Sequence, residues 1–366
     1  MPDDLDIGMF RYRVVAFLAQ SVEEGVACPA FGAILPPALH GQARAWQAHV
    51  YDAGFAGLHW PVAFGGRGLD REHTAIWLEE CARAEVTPYL NLQGLVLAGE
   101  AILRSGTDEQ RARFLLRTLT GEALWCQLFS EPDAGSDLAG LQTTAVVDGD
   151  SYVVEGQKVW SSNADVATHG ILLARTDPDE PGHRGISFFL LDMATPGVTV
   201  RPIRQMTGDH EFSQVFLDGV RIPRDALLGP EHGGWRVAME VLTDERGSGA
   251  AGLVGLDQRL ALVRSRAGGA PAHRDQLLRL YVRGHALRAL LLRSNGDPVT
   301  ASMAKLLRTE LEAEIELLAC SLRGADGLLA GPATDRFLYA PGMRIAGGTS
   351  EIQRNIIAER LLGLPR

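Results

Sequence analysis

The sequence predicts an α+β chain of three consecutive domains: an N-terminal all-α domain, a middle antiparallel β domain and a C-terminal helical bundle. Residues 1 to about 122 keep a helical period. Near residue 123 this gives way to short alternating strands punctuated by turn residues, and from Gly233 the helical period returns. Boundaries are placed at 1–122, 123–231 and 232–366. A length of 366 residues fits two to three domains and allows a large core without staples.

In the first domain, EHTAIWLEECARA repeats apolar Ile76, Trp77, Leu78 and Cys81 at helical spacing. Thr107 with Gln110 three residues on reads as a capping box that opens another helix. Between them, GLHWPVAFGGRGLD has the Gly and Pro content of an ordered loop. In the second domain, TTAVVDGDSYVVEGQKVW reads as a hairpin turning at Asp148-Gly149. GILLAR, GISFFLLD, GVTVRPI and QVFLDGVRI follow as further strands of a compact sheet or barrel. In the third, GWRVAMEVLTDER, DQRLALVRSR, HRDQLLRLYVRGHALRALLLRS, a segment from about Val299 to Leu322, and SEIQRNIIAERLLG carry the helical period. The short linkers AGGAPA and NGD imply antiparallel neighbours.

A formal charge of −10 argues against nucleic acid as a partner, because phosphate neutralisation needs clustered cations. Cys28, Cys81, Cys126 and Cys320 are scattered, with no C-x-x-C. Together with an acidic N-terminus lacking an apolar leader, they read as reduced thiols of a cytoplasmic protein. No run of about 18 apolar residues is present, so no membrane span is expected. The ten histidines form no HExxH, so no metal site is expected.

Three stretches carry chemistry. In IAGGTSEIQR, Gly347 and Gly348 precede Ser350 and Gln353, a capping-box spacing that starts the last helix at about Glu351. Glycine there permits positive φ or close approach of a ligand to backbone, and a helix N-terminus favours negative charge. Taken alone, the motif fits a plain interhelical turn. In CQLFSEPDAGSD, a strand ends and Glu131-Pro132 turns it, presenting the hydroxyls of Ser130 and Ser136. In GQKVWSSN, a strand carrying Trp160 ends in Ser161 and Ser162. Trp160 fits either a core anchor or a face for a planar ring, and the serines fit a capped turn or ring-facing hydroxyls.

SEPDAGSD, GQKVWSSN, TDER and GGTSEIQRNIIAERLLG, in this order and with these separations, resemble the acyl-CoA dehydrogenase family over nearly the whole chain. The loop WPVAFGGRG and the GTDEQRARFL helix extend the resemblance. It implies an N-terminal helical domain, a middle β domain and a C-terminal four-helix bundle. It also implies bound FAD, an acyl-CoA or acyl carrier protein thioester as substrate, and electron-transfer flavoprotein as electron acceptor. The reaction implied is α,β-desaturation, with α-proton abstraction and β-hydride transfer to flavin N5. Carried over residue by residue, Gln127, Phe129 and Ser130 line the pyrimidine side of the ring. Trp160 packs near the flavin, Ser161 and Ser162 belong to the same cofactor face, and Ser162 takes the N5-bonding position. Ser136 touches substrate or cofactor. Thr349 and Glu351 contact FAD, with Glu351 where many relatives have Gln.

The base is expected at an unusual place. Many members carry a Glu directly before the Gly-Thr-Ser of the last stretch, and here that position is Gly347. Branched-chain and long-chain relatives instead place it on an earlier helix before an Arg, which matches Glu245-Arg246. Glu245 is therefore the expected base and Arg246 the support of the substrate pocket. Asp244 lies about 100° away round the helix. Gly347 leaves room for a bulky or α-branched acyl group. The amides near Gly347 and Gly348 are expected to polarise the thioester carbonyl.

Two family features are altered. RSRAGGAPAHRDQ replaces an Arg-x-x-Phe-Gly contact to FAD, leaving Arg266 or Arg274 as substitutes. SLRGADGLLAG replaces a Gly-Gly-x-Gly turn. The chain thus reads as a homo-oligomeric dehydrogenase or as one chain of a mixed two-chain enzyme. A non-catalytic subunit, or an oxidase or monooxygenase on the same fold, are further readings.

Overall fold

The computed structural model describes residues 6–31, 35–247, 249–267, 271–293 and 297–365. The chain forms two compact units. The first runs through Gln205 and resumes over Asp209–Asp244; the second takes Met206–Gly208 and Glu245–Arg366.

The first unit begins with helices. α1 (Ile7–Glu23) is capped by Asp6, whose carboxylate accepts from the Met9 amide at 2.8 Å. It buries Phe10, Val14 and Leu18, one stripe at i, i+4, i+8. α2 (His40–Asp52) buries Trp46, whose indole N–H reaches the Thr87 carbonyl at 2.7 Å. α3 (Arg71–Arg83) buries Ile76, Trp77 and Cys81 as the periodicity predicts, with Trp77 stacked on Phe55. α4 (Gly99–Ser105) precedes α5 (Asp108–Thr120), which has both halves of the Thr107–Gln110 capping box. Gln110 then donates to the carbonyls of Asp225 and Leu227, at 2.8 and 2.9 Å, which ties α5 to the turn that follows the last strand.

The sheet comprises β1 (Trp125–Leu128), β2 (Thr144–Asp148), β3 (Ser151–Ser162), β4 (His169–Arg175), β5 (Ile186–Asp192), β6 (Val198–Ile203) and β7 (Phe212–Pro223). Its order is β1-β4-β2-β3-β7-β6, with β5 beside β4. The β2–β3 hairpin turns through Gly149-Asp150, one residue beyond the pair expected to make the turn, and Gly149 takes φ +60°. Most pairings are antiparallel. β1 pairs β4 in parallel, and β2 touches β4 in parallel at Thr144. Leu128, Val154, Leu172, Phe189, Val215 and Leu217 meet in the core of the sheet. α6 (Gly234–Gly247) starts hard against β5. A Cβ on Gly234 would fall 2.4 Å from the Ser187 carbonyl carbon, so only glycine fits.

The second unit is helical: α7 (Gly249–Ala267), α8 (Pro271–Arg293), α9 (Pro298–Ser321), α10 (Pro332–Ile345) and α11 (Ser350–Arg360). Leu256, Leu260 and Val263 of α7, Leu280 and Leu287 of α8, and Leu311, Ile315 and Leu318 of α9 form its core. Both linker candidates overlap residues outside the described set. No helix among the described residues is long and apolar enough to cross a membrane.

Candidate active site

The first unit brings two backbone segments together. β1 leads into Leu128, Phe129 and Ser130, and the last turn of β3 carries Trp160, Ser161 and Ser162. The Val159 amide donates to the Ser130 carbonyl at 2.9 Å and joins them. The pairing of β3 with β7 jumps from Lys158↔Val215 to Ser161↔Ser213, a bulge, and Trp160 sits inside it at φ +60°. Left-handed backbone costs a non-glycine residue on the order of 1–3 kcal/mol, and such strain clusters at functional sites. The bulge holds Trp160 outward. It is 58% exposed and stands edge-on to Phe212 at 5.9 Å, whereas Trp46, Trp60, Trp77 and Trp125 are at most 1% exposed. Trp160 is therefore not a core anchor. Ser161 is buried and its hydroxyl has no partner among the described residues. Ser162 is also buried, Gln127 is half-buried, and Phe129 packs edge-on to Phe188. Ser136 stands exposed on the loop that follows Pro132.

Under these two segments lies an ion pair not expected from the motifs. Lys158 is fully buried and donates to the Phe129 carbonyl at 3.1 Å and to Glu131 Oε1 at 2.8 Å. The Glu131 carboxylate also accepts from the amides of Gln142, at 2.6 Å, and Thr143, at 2.9 Å. Burial pulls the Lys158 ammonium down to about 8, against the pull of Glu131. Burial works to raise the Glu131 carboxyl, but Lys158 and the hydrogen-bond donors outweigh it and leave it below its ordinary value. The signal was available: Tyr152, Val154 and Lys158 share one face of β3 at period two, and a lysine on a buried face demands a partner.

The second unit carries the glycine turn. α10 ends at Ile345, Gly347 and Gly348 take φ +65° and +93°, and α11 begins at Ser350. The expected capping box is corrected here. Thr349 is the cap, its hydroxyl accepting from the Ile352 amide, while the Ser350 hydroxyl is buried without a partner among the described residues. Gln353 turns back to the carbonyls of Gly347, at 3.0 Å, and Gly348, at 3.2 Å. This holds because the glycine turn presents its carbonyls to the helix, and the amide of Gln353 meets them before it can reach a cap. Lys305 of α9 donates to the same turn, at 2.7 Å to the Gly348 carbonyl and 3.1 Å to that of Arg344. Glu351 is exposed beside Arg354, its carboxyl held low by its own backbone N–H and the Thr349 hydroxyl.

Glu245 and Arg246 fall on the last turn of α6, and their side chains lie outside the described residues. Arg266 and Arg274 are both exposed. Gln127, Phe129, Ser130, Trp160, Ser161 and Ser162 thus gather in one unit, and Gly347, Gly348, Thr349 and Glu351 in the other.

Three domain models of one family match consecutively: acyl-CoA dehydrogenase N-terminal domain over residues 8–122, middle domain over 126–220 and C-terminal domain over 232–362. Acyl-CoA dehydrogenase IpdE1 of Mycobacterium tuberculosis is 38% identical, covering 99% of this chain and 98% of its own. Among solved structures, the ChsE4-ChsE5 complex of Mycobacterium tuberculosis superposes with a TM-score of 0.82 at 29% identity, over 98% of this chain and 97% of that one. The Tcur3481-Tcur3483 steroid ACAD superposes with a TM-score of 0.82 at 26% identity, over 97% of each chain. With every domain matched in order and a full-length relative at this identity, the chain belongs to the acyl-CoA dehydrogenase family of flavoprotein oxidoreductases.

Proposed function

We propose that this chain is an FAD-dependent acyl-CoA dehydrogenase that desaturates a bulky, ring-bearing acyl thioester between Cα and Cβ, in the cytoplasm. The observation that carries the reading is Trp160, held out of the core at strained φ beside the unpartnered buried hydroxyl of Ser161. An exposed aromatic face next to hydroxyls and main-chain groups suits a planar, heteroatom-edged ring, so the residues present fit a flavin. Gln127, Phe129, Ser130, Ser161 and Ser162 would hold it beside Trp160, and the resemblance adds Thr349 and Glu351 as FAD contacts. The chemistry that FAD supplies when bound is acceptance of two electrons from the substrate.

This chain's own residues do the rest. Glu245 takes the α-proton as the general base. Arg246 supports the pocket and Ser136 meets substrate at its mouth. The turn at Gly347 and Gly348 offers main-chain N–H groups to the thioester carbonyl and leaves volume for a branched or polycyclic acyl group. The word "steroid" in the name of one structural relative supports that substrate class. Electrons then pass to electron-transfer flavoprotein.

A second reading is favoured by the altered RSRAGGAPAHRDQ segment and by relatives named as complexes of two chains: this chain works in a mixed assembly. The visible spectrum of the chain purified alone separates the two. Near-stoichiometric bound flavin supports a self-sufficient homo-oligomer; a colourless folded chain that takes up no added FAD supports the mixed assembly. In flavin-bearing enzyme, Glu245→Gln should retain the flavin and slow its bleaching by steroid-type acyl-CoA at least about 100-fold. Bleaching at the wild-type rate removes Glu245 as the base.

A further inference from the structure

The chain has 35 Lys and Arg residues, of which 33 are Arg and two are Lys, and the two are Lys158 and Lys305. Neither is on the surface: Lys158 is 0% and Lys305 6% exposed. Each donates to main-chain carbonyls of one candidate-site loop, Lys158 to Phe129 and Lys305 to Gly348. In a chain that uses arginine for its other long cationic side chains, these two are compact, buried ammonium groups, and each converges on main-chain carbonyls.

The geometry has a direct chemical reading. A trans peptide is planar, with its C=O and N–H pointing opposite ways. Holding the Phe129 carbonyl inward turns the N–H of the same peptide, that of Ser130, outward, and that N–H meets no acceptor among the described residues. Holding the Gly348 carbonyl likewise turns the Thr349 N–H away from Lys305. A charged donor on the carbonyl also polarises the peptide and strengthens its N–H as a donor.

We propose that Lys158 and Lys305 are positioning residues: each holds a site-loop carbonyl so that the N–H of the same peptide is turned away from the lysine and strengthened, that of Ser130 in the flavin-facing loop and that of Thr349 in the glycine turn. This rests on the flavin reading above. A hydrophobic pair could fill the space of Lys158 and Glu131 with similar stability, but could not hold the Phe129 carbonyl. Glu131 is the charged group that faces Lys158 among the described residues.

The test is the midpoint potential of the flavin in the holoprotein, with its partner chain if one is needed, beside thermal unfolding. Lys158→Met should lower the reduced-to-oxidised preference about tenfold, which is about 30 mV for a two-electron couple. Lys305→Met should leave that ratio within about threefold while lowering kcat about tenfold at a KM changed less than threefold. A merely structural role would lower the unfolding temperature and leave both readouts in place. If Lys158→Met does not fold, Lys158→Gln, which keeps a donor but not the charge, carries the test: a potential equal to that of the wild type overturns the inference. A wild type that takes up no FAD in any assembly overturns this inference and the flavin reading together. Bound flavin with equal potentials in wild type and folded Lys158→Met overturns this inference alone.

Discussion

The loop around Ser130 and Trp160 and the turn at Gly347 and Gly348 solve one problem by opposite means. The first presents side chains: a β-bulge turns an indole outward and leaves a serine hydroxyl unpaired. The second presents backbone: two left-handed glycines remove side chains, and Gln353 and Lys305 hold the carbonyls. Rigidity therefore comes from sheet pairing and a buried ion pair in one case, and from a helix cap and side-chain-to-carbonyl bonds in the other. A site built on side chains tolerates a change of backbone environment poorly; one built on bare backbone tolerates an added Cβ poorly.

The sharpest way to break the first loop alone is Glu131→Ala. It leaves a buried ammonium without its carboxylate, and the loss of one partner of such a pair costs about 3–5 kcal/mol. Chemical denaturation should show this loss, with weakened flavin retention. The second loop breaks with Gly348→Ala. The new Cβ would stand 2.6 Å from Gln353 Nε2 on a backbone at φ +93°, costing about 1–3 kcal/mol. Flavin should stay bound while thioester turnover falls; equal loss of flavin and turnover would break the comparison. The smallest effect sharpens the capping assignment. Thr349→Ala should cost about 1 kcal/mol of stability, whereas Ser350→Ala should stay within about 0.5 kcal/mol, measured by the same unfolding curves.

Much of this organisation was legible in the residues. The helical period of Ile76, Trp77 and Cys81, the Thr107–Gln110 box and the hairpin at Gly149 are local, and local chemistry alone specifies them. The parallel pairing of β1 with β4 was not legible, because it joins residues more than 40 positions apart and leaves no periodic trace in either strand. The cap at Thr349 rather than Ser350 was missed for a related reason. Both hydroxyls stand at the right spacing, and the glycine φ values that choose between them are invisible in a string of letters. The ion pair of Lys158 and Glu131 was readable in principle from period two, but a motif search passes over a lysine between better-known neighbours.

The placement of both lysines has a further consequence. Acyl thioesters are acylating agents, and an unprotonated surface amine is the nucleophile they modify without any catalyst. With its two lysines at 0% and 6% exposure and arginine, always protonated, as the surface cation, the folded chain shows almost no side-chain amine to the reactive compounds that its family handles. Self-inflicted N-acylation, and tags written onto lysine by other enzymes, would require one of the two site loops to open first.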